Sequence, residues 1–82
     1  MTNKPISYQI TAHANLRHYL QGANEATSIE TKRPLTARTL LKALEIPESE
    51  VMAVIVEGKT VELDSVLEKS CAVEIFPVLS GG

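Results

Sequence analysis

Between Pro34 and Pro47 the chain carries one clear helical stripe: Ala37, Leu40, Leu41 and Leu44 fall at i, i+3, i+4 and i+7. That spacing puts all four side chains on one face of an α-helix, which must then be buried against something apolar. Thr36 is placed to cap the start, and Arg38, Lys42 and Glu45 lie off the stripe. Pro47 is predicted to end the helix, because the residue before a proline disfavours helical angles. Most of the remaining pattern reads as strand. One main helix among several strands, in a chain of 82 residues, points to an α+β arrangement with the helix packed on one sheet.

The strands are read from two kinds of pattern. Ile6 to Ala12 alternates apolar and polar residues, the period of a half-buried strand. Asn15 is predicted to cap a short helical turn, Leu16 to Leu20, closed by Gly22; Glu25 to Thr31 is predicted to pair back on the first strand. Val51 to Val56 is nearly all apolar and β-branched, which predicts a central strand covered on both faces. Gly58-Lys59 reads as a turn, Thr60 to Leu63 as a short edge strand, and Asp64 as another turn with Val66 and Leu67 pointing inward. Ala72 to Val78 is the last predicted strand. Pro77 cannot donate a ladder hydrogen bond, so pairing is expected to loosen there and release a tail, residues 77–82. The first and last strands can lie side by side in parallel, giving a mixed sheet of four to five strands in one domain, residues 1–82.

Composition excludes several classes of function. A net charge of −2, with no basic stripe interleaved with aromatics, argues against a nucleic-acid partner. A single cysteine, Cys71, rules out an internal disulfide and any multi-cysteine metal site. The first residues lead into alternation rather than an unbroken apolar run, and no stretch approaches the roughly 20 apolar residues of a membrane span. A soluble, cytoplasmic protein with no membrane contact is expected. His13 and His18 are five apart, which misses the i, i+4 spacing of ligands on one helix face, so both read as surface or strand-end histidines. Cys71 stands near Glu68 and Glu74, and acidic surroundings raise a thiol pKa, which argues against a nucleophile. Glu48 and Glu50 read as a solvated loop. No autonomous catalytic constellation emerges, and no bound cofactor or metal is expected.

The ending is different. The apolar run Val73-Glu74-Ile75-Phe76-Pro77-Val78 passes without a linker into Leu79-Ser80-Gly81-Gly82. Two glycines in the last two places arise by chance in roughly 0.5% of chains. A terminal glycine leaves its own carboxylate unobstructed, and Gly81 adds backbone freedom, so the pair can thread a narrow channel. Six extended residues from Pro77 reach up to about 20 Å at roughly 3.3 Å each. A carboxylate is a poor acyl donor, but attack on the α-phosphate of ATP gives an acyl-adenylate from which a sulfur or amine nucleophile displaces AMP. Such a chain supplies only the carboxylate and a docking surface, and its partner binds the ATP. Alternation places Phe76 on the face opposite Val73 and Ile75, where an exposed aromatic beside a reactive tail suits partner docking together with Val78.

Several segments are similar to the ubiquitin-like sulfur-carrier family, above all the molybdopterin synthase small subunit and the thiamine sulfur carrier. Ala14-Asn15-Leu16-Arg17 resembles the family's Phe-Ala-x-Leu-Arg segment, with His13 standing for the Phe. Thr39-Leu40-Leu41-Lys42-Ala43-Leu44 resembles its first helix, and Val54-Ile55-Val56-Glu57-Gly58-Lys59 its Val-Asn-Gly strand and turn. Val73 to Gly82 resembles the Phe-Pro-Pro-Val-Ser-Gly-Gly ending, the most specific of these matches. The resemblance implies a β-grasp fold and sulfur carriage as a thiocarboxylate on Gly82, threaded through Leu79, Ser80 and Gly81. It implies three partners: an adenylating enzyme of the ubiquitin-activating type that uses the ATP, a sulfur donor protein, and a large subunit of molybdopterin synthase or its equivalent. Two other readings stay open, a modifier joined to lysines through Gly82 and a non-covalent β-grasp interaction module.

Overall fold

The structure is a computed structural model and describes residues 5–19 and 26–78. The chain runs β1 (Ile6–Ala12), a 3-10 turn (Ala14–Tyr19), β2 (Ala26–Thr31), β3 (Leu35–Thr36) and α1 (Ala37–Ala43). A second 3-10 turn (Glu48–Glu50) leads to β4 (Val51–Val56), β5 (Lys59–Val61), β6 (Val66–Leu67) and β7 (Cys71–Pro77). Five strands form one mixed sheet in the order β2-β1-β7-β4-β5, and β3 pairs with β6 in a small sheet of their own. β7 is the middle strand. It runs parallel to β1, from Tyr8↔Cys71 to Ala12↔Ile75, and antiparallel to β4. A parallel pair cannot be joined by a tight turn, so everything between β1 and β7 is one long crossover that carries the helix.

Period-two alternation sends Tyr8, Ile10 and Ala12 of β1 and Val73 and Ile75 of β7 to one face, where they are buried with Val54 of β4. Ala37, Leu40 and Leu41 of α1 pack into the same cluster with Leu16, Ile46 and Leu67. Thr36 caps the helix as expected, its hydroxyl accepting from the Thr39 N–H at 3.1 Å. Its first two amides are satisfied from the other side of the fold: Ala37 N–H donates to the Ser65 carbonyl and Arg38 N–H to the Leu63 carbonyl. The Arg38 guanidinium then bridges Glu48, at 2.9 Å, and Asp64.

Tyr8 joins the two sheets. Its buried hydroxyl donates to the Leu67 carbonyl and accepts from the Leu35 N–H, one partner on each strand of the small sheet. Tyr8→Phe leaves both backbone groups unpaired without changing the ring. An unsatisfied buried group costs about 1–3 kcal/mol. A drop of roughly 10 °C in melting temperature is therefore expected for a domain of this size, measured by circular dichroism. An unchanged melting temperature would show that water replaces the hydroxyl at no cost.

Several expectations need correction. The helix ends at Leu44, three residues before Pro47, because Glu45 takes a left-handed conformation (φ 61°) and the Glu45 and Ile46 amides turn back to the Lys42 and Leu41 carbonyls. These are the two hydrogen bonds of a Schellman motif, made here without glycine. The first 3-10 turn already begins at Ala14, which places Asn15 inside it rather than at its cap position. β4 is not covered on both faces: it is second from the edge, and α1 packs only on the Val54 side, leaving Ala53 and Ile55 half-buried. β6 alternates, so Leu67 points inward and Val66 is 54% exposed. The β4–β5 turn is Glu57-Gly58, both with positive φ, so Lys59 already belongs to β5, which stops at Val61. Glu25 and Gly22 lie outside the described residues. No helix among the described residues is long and apolar enough to cross a membrane.

Candidate functional site: the end of the middle strand

The strand that leads into the glycines is the middle strand of the five, with a neighbour on each side. Its inward residues Val73, Ile75 and Pro77 are buried. Pro77 does not loosen the pairing, contrary to expectation. It stands opposite Val51, while Phe76 stands opposite Ala53, so one extra residue, Met52, is accommodated between them as a bulge. A bulge interrupts the ladder at the place where a proline has no N–H to give. Pairing then resumes: the Val78 N–H donates to the Glu50 carbonyl at 3.0 Å. The backbone is therefore held beyond Pro77, through Val78.

Around this end the side chains form two groups. On the outer face, the His13 ring stacks on the Phe76 ring with centroids 4.3 Å apart and planes 8° from parallel. His13 is held from both sides, its N–H donating to the Ile75 carbonyl and its Nε2 lying 3.0 Å from Glu74 Oε1. Phe76 faces away from Val73 and Ile75, as alternation requires, but the imidazole leaves it half-buried rather than open. The second group lies at the margin. Glu50 carries the carbonyl that holds Val78, and its Oε2 accepts from the Tyr19 hydroxyl at 3.0 Å. That hydrogen bond, with some burial, pushes the Tyr19 pKa above the ordinary tyrosine value, which keeps the hydroxyl a donor. Val78, 50% exposed, adds apolar surface beside it, whereas Met52, 61% exposed, lines a cleft with Arg38 and the segment from Thr60 to Asp64.

Of the residues singled out in the sequence, Phe76 and Val78 are thus brought together, while Leu79, Ser80, Gly81 and Gly82 lie outside the described residues. The side chain of His18 lies outside them too. His13, read as an ordinary strand-end histidine, proves to be the cover of Phe76, and Glu50, read as solvated loop, proves to be a structural partner of Val78. Met52 went unrecognised because the apolar run around it looked like continuous core; the sequence signal was Pro77, which needs a bulge or an edge opposite it. Cys71 sits at the other end of β7, about 20 Å away at roughly 3.3 Å per residue. It is half-buried in a shallow cleft with Val56, Val66 and Leu67. Burial first, and the Glu57 carboxylate second, push its thiol pKa up, so Glu57 takes the part expected of Glu68 and Glu74. Among the described residues no cluster of three or more His, Cys, Asp or Glu side chains could hold a metal ion.

A mixed sheet with parallel first and last strands at its middle, and one helix on a single face, defines a β-grasp protein. The sequence profile of the ThiS family matches residues 14–82, and the chain belongs to that family of ubiquitin-like sulfur carriers. A search of curated proteins returned no match. Among solved structures, the Haloferax volcanii HVO 2177 protein is similar with a TM-score of 0.72 at 20% identity, over 95% of this chain and 88% of that one. A Pyrococcus furiosus protein described as molybdopterin converting factor, subunit 1, is similar with a TM-score of 0.70 at 19% identity, over 90% and 99%. SAMP1 from Haloferax volcanii gives 0.69 at 17% identity, over 93% and 99%. At these identities the structural likeness speaks for the fold.

Proposed function

We propose that this chain is a cytoplasmic sulfur carrier whose Gly82 carboxylate is adenylated by a ubiquitin-activating-type enzyme. The acyl-adenylate is then converted to a thiocarboxylate that donates its sulfur in cofactor synthesis, with molybdopterin the first candidate. The observation that carries this reading is the ThiS family match running to residue 82, through the whole tail that follows the middle strand. The fold shared with the protein described as molybdopterin converting factor, subunit 1, supports the choice of cofactor.

The chemistry divides cleanly between partners. Attack of the Gly82 carboxylate oxygen on the α-phosphate of ATP releases pyrophosphate. Sulfide (HS−) supplied by the donor then attacks the acyl carbon, forming the C–S bond as the C–O bond to AMP breaks and losing its proton to leave the thiocarboxylate. The activating enzyme supplies ATP binding, and a large subunit receives the charged carrier. This chain contributes reach and recognition. Because the Val78 amide is bonded to the Glu50 carbonyl, four residues remain beyond it, Leu79 to Gly82, which reach at most about 13 Å when extended. The body must therefore dock closely, with Phe76 and Val78 against the partner.

Intact-mass spectrometry after incubation with the activating enzyme, ATP and a sulfur donor tests the proposal. The expected product is heavier by the difference between one sulfur and one oxygen atom. Adducts on lysines in its place would show a protein modifier, and no product of either kind would leave a non-covalent module.

The sulfur is carried on the terminal carbonyl, so Cys71 is dispensable. Its raised thiol pKa makes it a weak nucleophile at neutral pH, and it lies at the wrong end of β7. Cys71→Ser is expected to accept sulfur at the wild-type rate in the same assay. Loss of transfer by a folded variant would require a thiol relay through the body of the protein.

A further inference from the structure

Glu50 meets the start of the tail through two different atoms. Its carbonyl accepts from the Val78 N–H, and its carboxylate accepts from the Tyr19 hydroxyl, each at 3.0 Å. Its own N–H donates to the Pro47 carbonyl at 3.0 Å, which closes the second 3-10 turn. Tyr19 ends the first 3-10 turn and packs against the core cluster. Val78, the last described residue, is therefore tied to the body through Glu50 and, through Tyr19, to the first 3-10 turn. A ladder bond at the end of a strand, beyond a bulge and beside a half-exposed valine, opens readily when nothing else holds its acceptor.

We infer that Tyr19 and Glu50 are positioning residues: they clamp Val78 and so set the point and direction from which Leu79 to Gly82 leave the sheet. The inference rests on the reading of Gly82 as the reacting end. Its physical content is pre-organisation. A partner that must deliver the tip of a four-residue tail to one atom of ATP gains when the origin of that tail is already fixed. With the clamp open, Val78 and the bulged segment join the tail, and each added free residue must be ordered again on binding. Tyr19 carries further interactions besides this one, so the test needs changes at both ends of the bond.

Two measurements on the full chain test the clamp. Hydrogen exchange reads the Val78 amide directly, and ATP–pyrophosphate exchange with the activating enzyme gives kcat/KM for adenylation. Tyr19→Phe and Glu50→Ala are each expected to speed Val78 exchange and to lower kcat/KM by roughly five- to tenfold, the scale of freeing one backbone residue. Glu50→Gln, whose amide oxygen can still accept from Tyr19, is expected to keep most of both, and all three should melt within a few degrees of wild type. Unchanged Val78 exchange in Tyr19→Phe and Glu50→Ala overturns the clamp, as does faster exchange with an undiminished kcat/KM. Equal losses in Glu50→Gln and Glu50→Ala overturn it as well, in favour of a charge read by the partner. Failure of the wild-type chain to be adenylated at all overturns instead the reading of the tail on which the clamp depends.

Discussion

Deleting Gly82 is expected to abolish adenylation and leave the melting temperature of the domain where it was. The two halves of that expectation come from different parts of the molecule. The core cluster is built from residues between Tyr8 and Ile75, the buried strand ends at Pro77, and the ladder closes with the Val78 amide. Among the described residues that surface is already buried, and chain ends contribute little to stability. The chemistry, in contrast, depends on where the last carboxylate falls. Removing one residue draws it back by about 3.3 Å, and a misplacement of about 1 Å can cost roughly a hundredfold in rate. A loss of at least that size in ATP–pyrophosphate exchange is expected. Replacing Gly81 by Trp should do the same for another reason, since a channel that admits bare backbone excludes an indole. Undiminished exchange by the truncated protein would remove the tail from the mechanism.

How much of this was legible in the sequence depended on how local each signal is. The helix could be read because its stripe and its Thr36 cap are complete within a few residues. The parallel pairing of β1 with β7 followed from two alternating runs that both needed a buried face. The small sheet of β3 and β6 could not be read. Each strand has two residues, and they are held by the Tyr8 hydroxyl from 27 and 59 positions away along the chain. Pro77 was misjudged for a related reason. A proline loosens a ladder only if its partner strand expects a donor there, and Met52 on β4 removes that demand. Glu50 looked like loop because a residue chosen for its backbone carbonyl leaves no signature in composition. The outward side of Phe76 was visible from alternation alone, but the ring that covers it comes from the segment after β1 and belongs to tertiary structure.

That cover decides what Phe76→Ala should do. Were Phe76 core, its loss would cost about 3–5 kcal/mol. It is not: Val73 and Ile75 are buried on the α1 side, and Phe76 lies opposite them, across from Ala53 and under His13. What the folded state loses is mainly the stacked pair, worth about 0.5–1.5 kcal/mol, so the melting temperature should fall by only about 5 °C. Binding is another matter. A large ring two residues before the last described ladder bond, with exposed Val78 next along the same side of the strand, has the composition of an interface anchor. Truncating such an anchor commonly costs 2 kcal/mol or more, which is roughly a thirtyfold loss of affinity. Affinity for the activating enzyme or the large subunit, measured by calorimetry, should show it. His13→Ala separates the two contributions, because it breaks the same stack but leaves the phenyl ring in place. That variant should lose a similar few degrees of melting temperature and keep most of the affinity. If His13→Ala and Phe76→Ala weaken binding equally, the partner reads the stacked pair as one surface. If Phe76→Ala lowers the melting temperature steeply and binds as well as wild type, the ring belongs to the fold and the anchor must be sought in Val78.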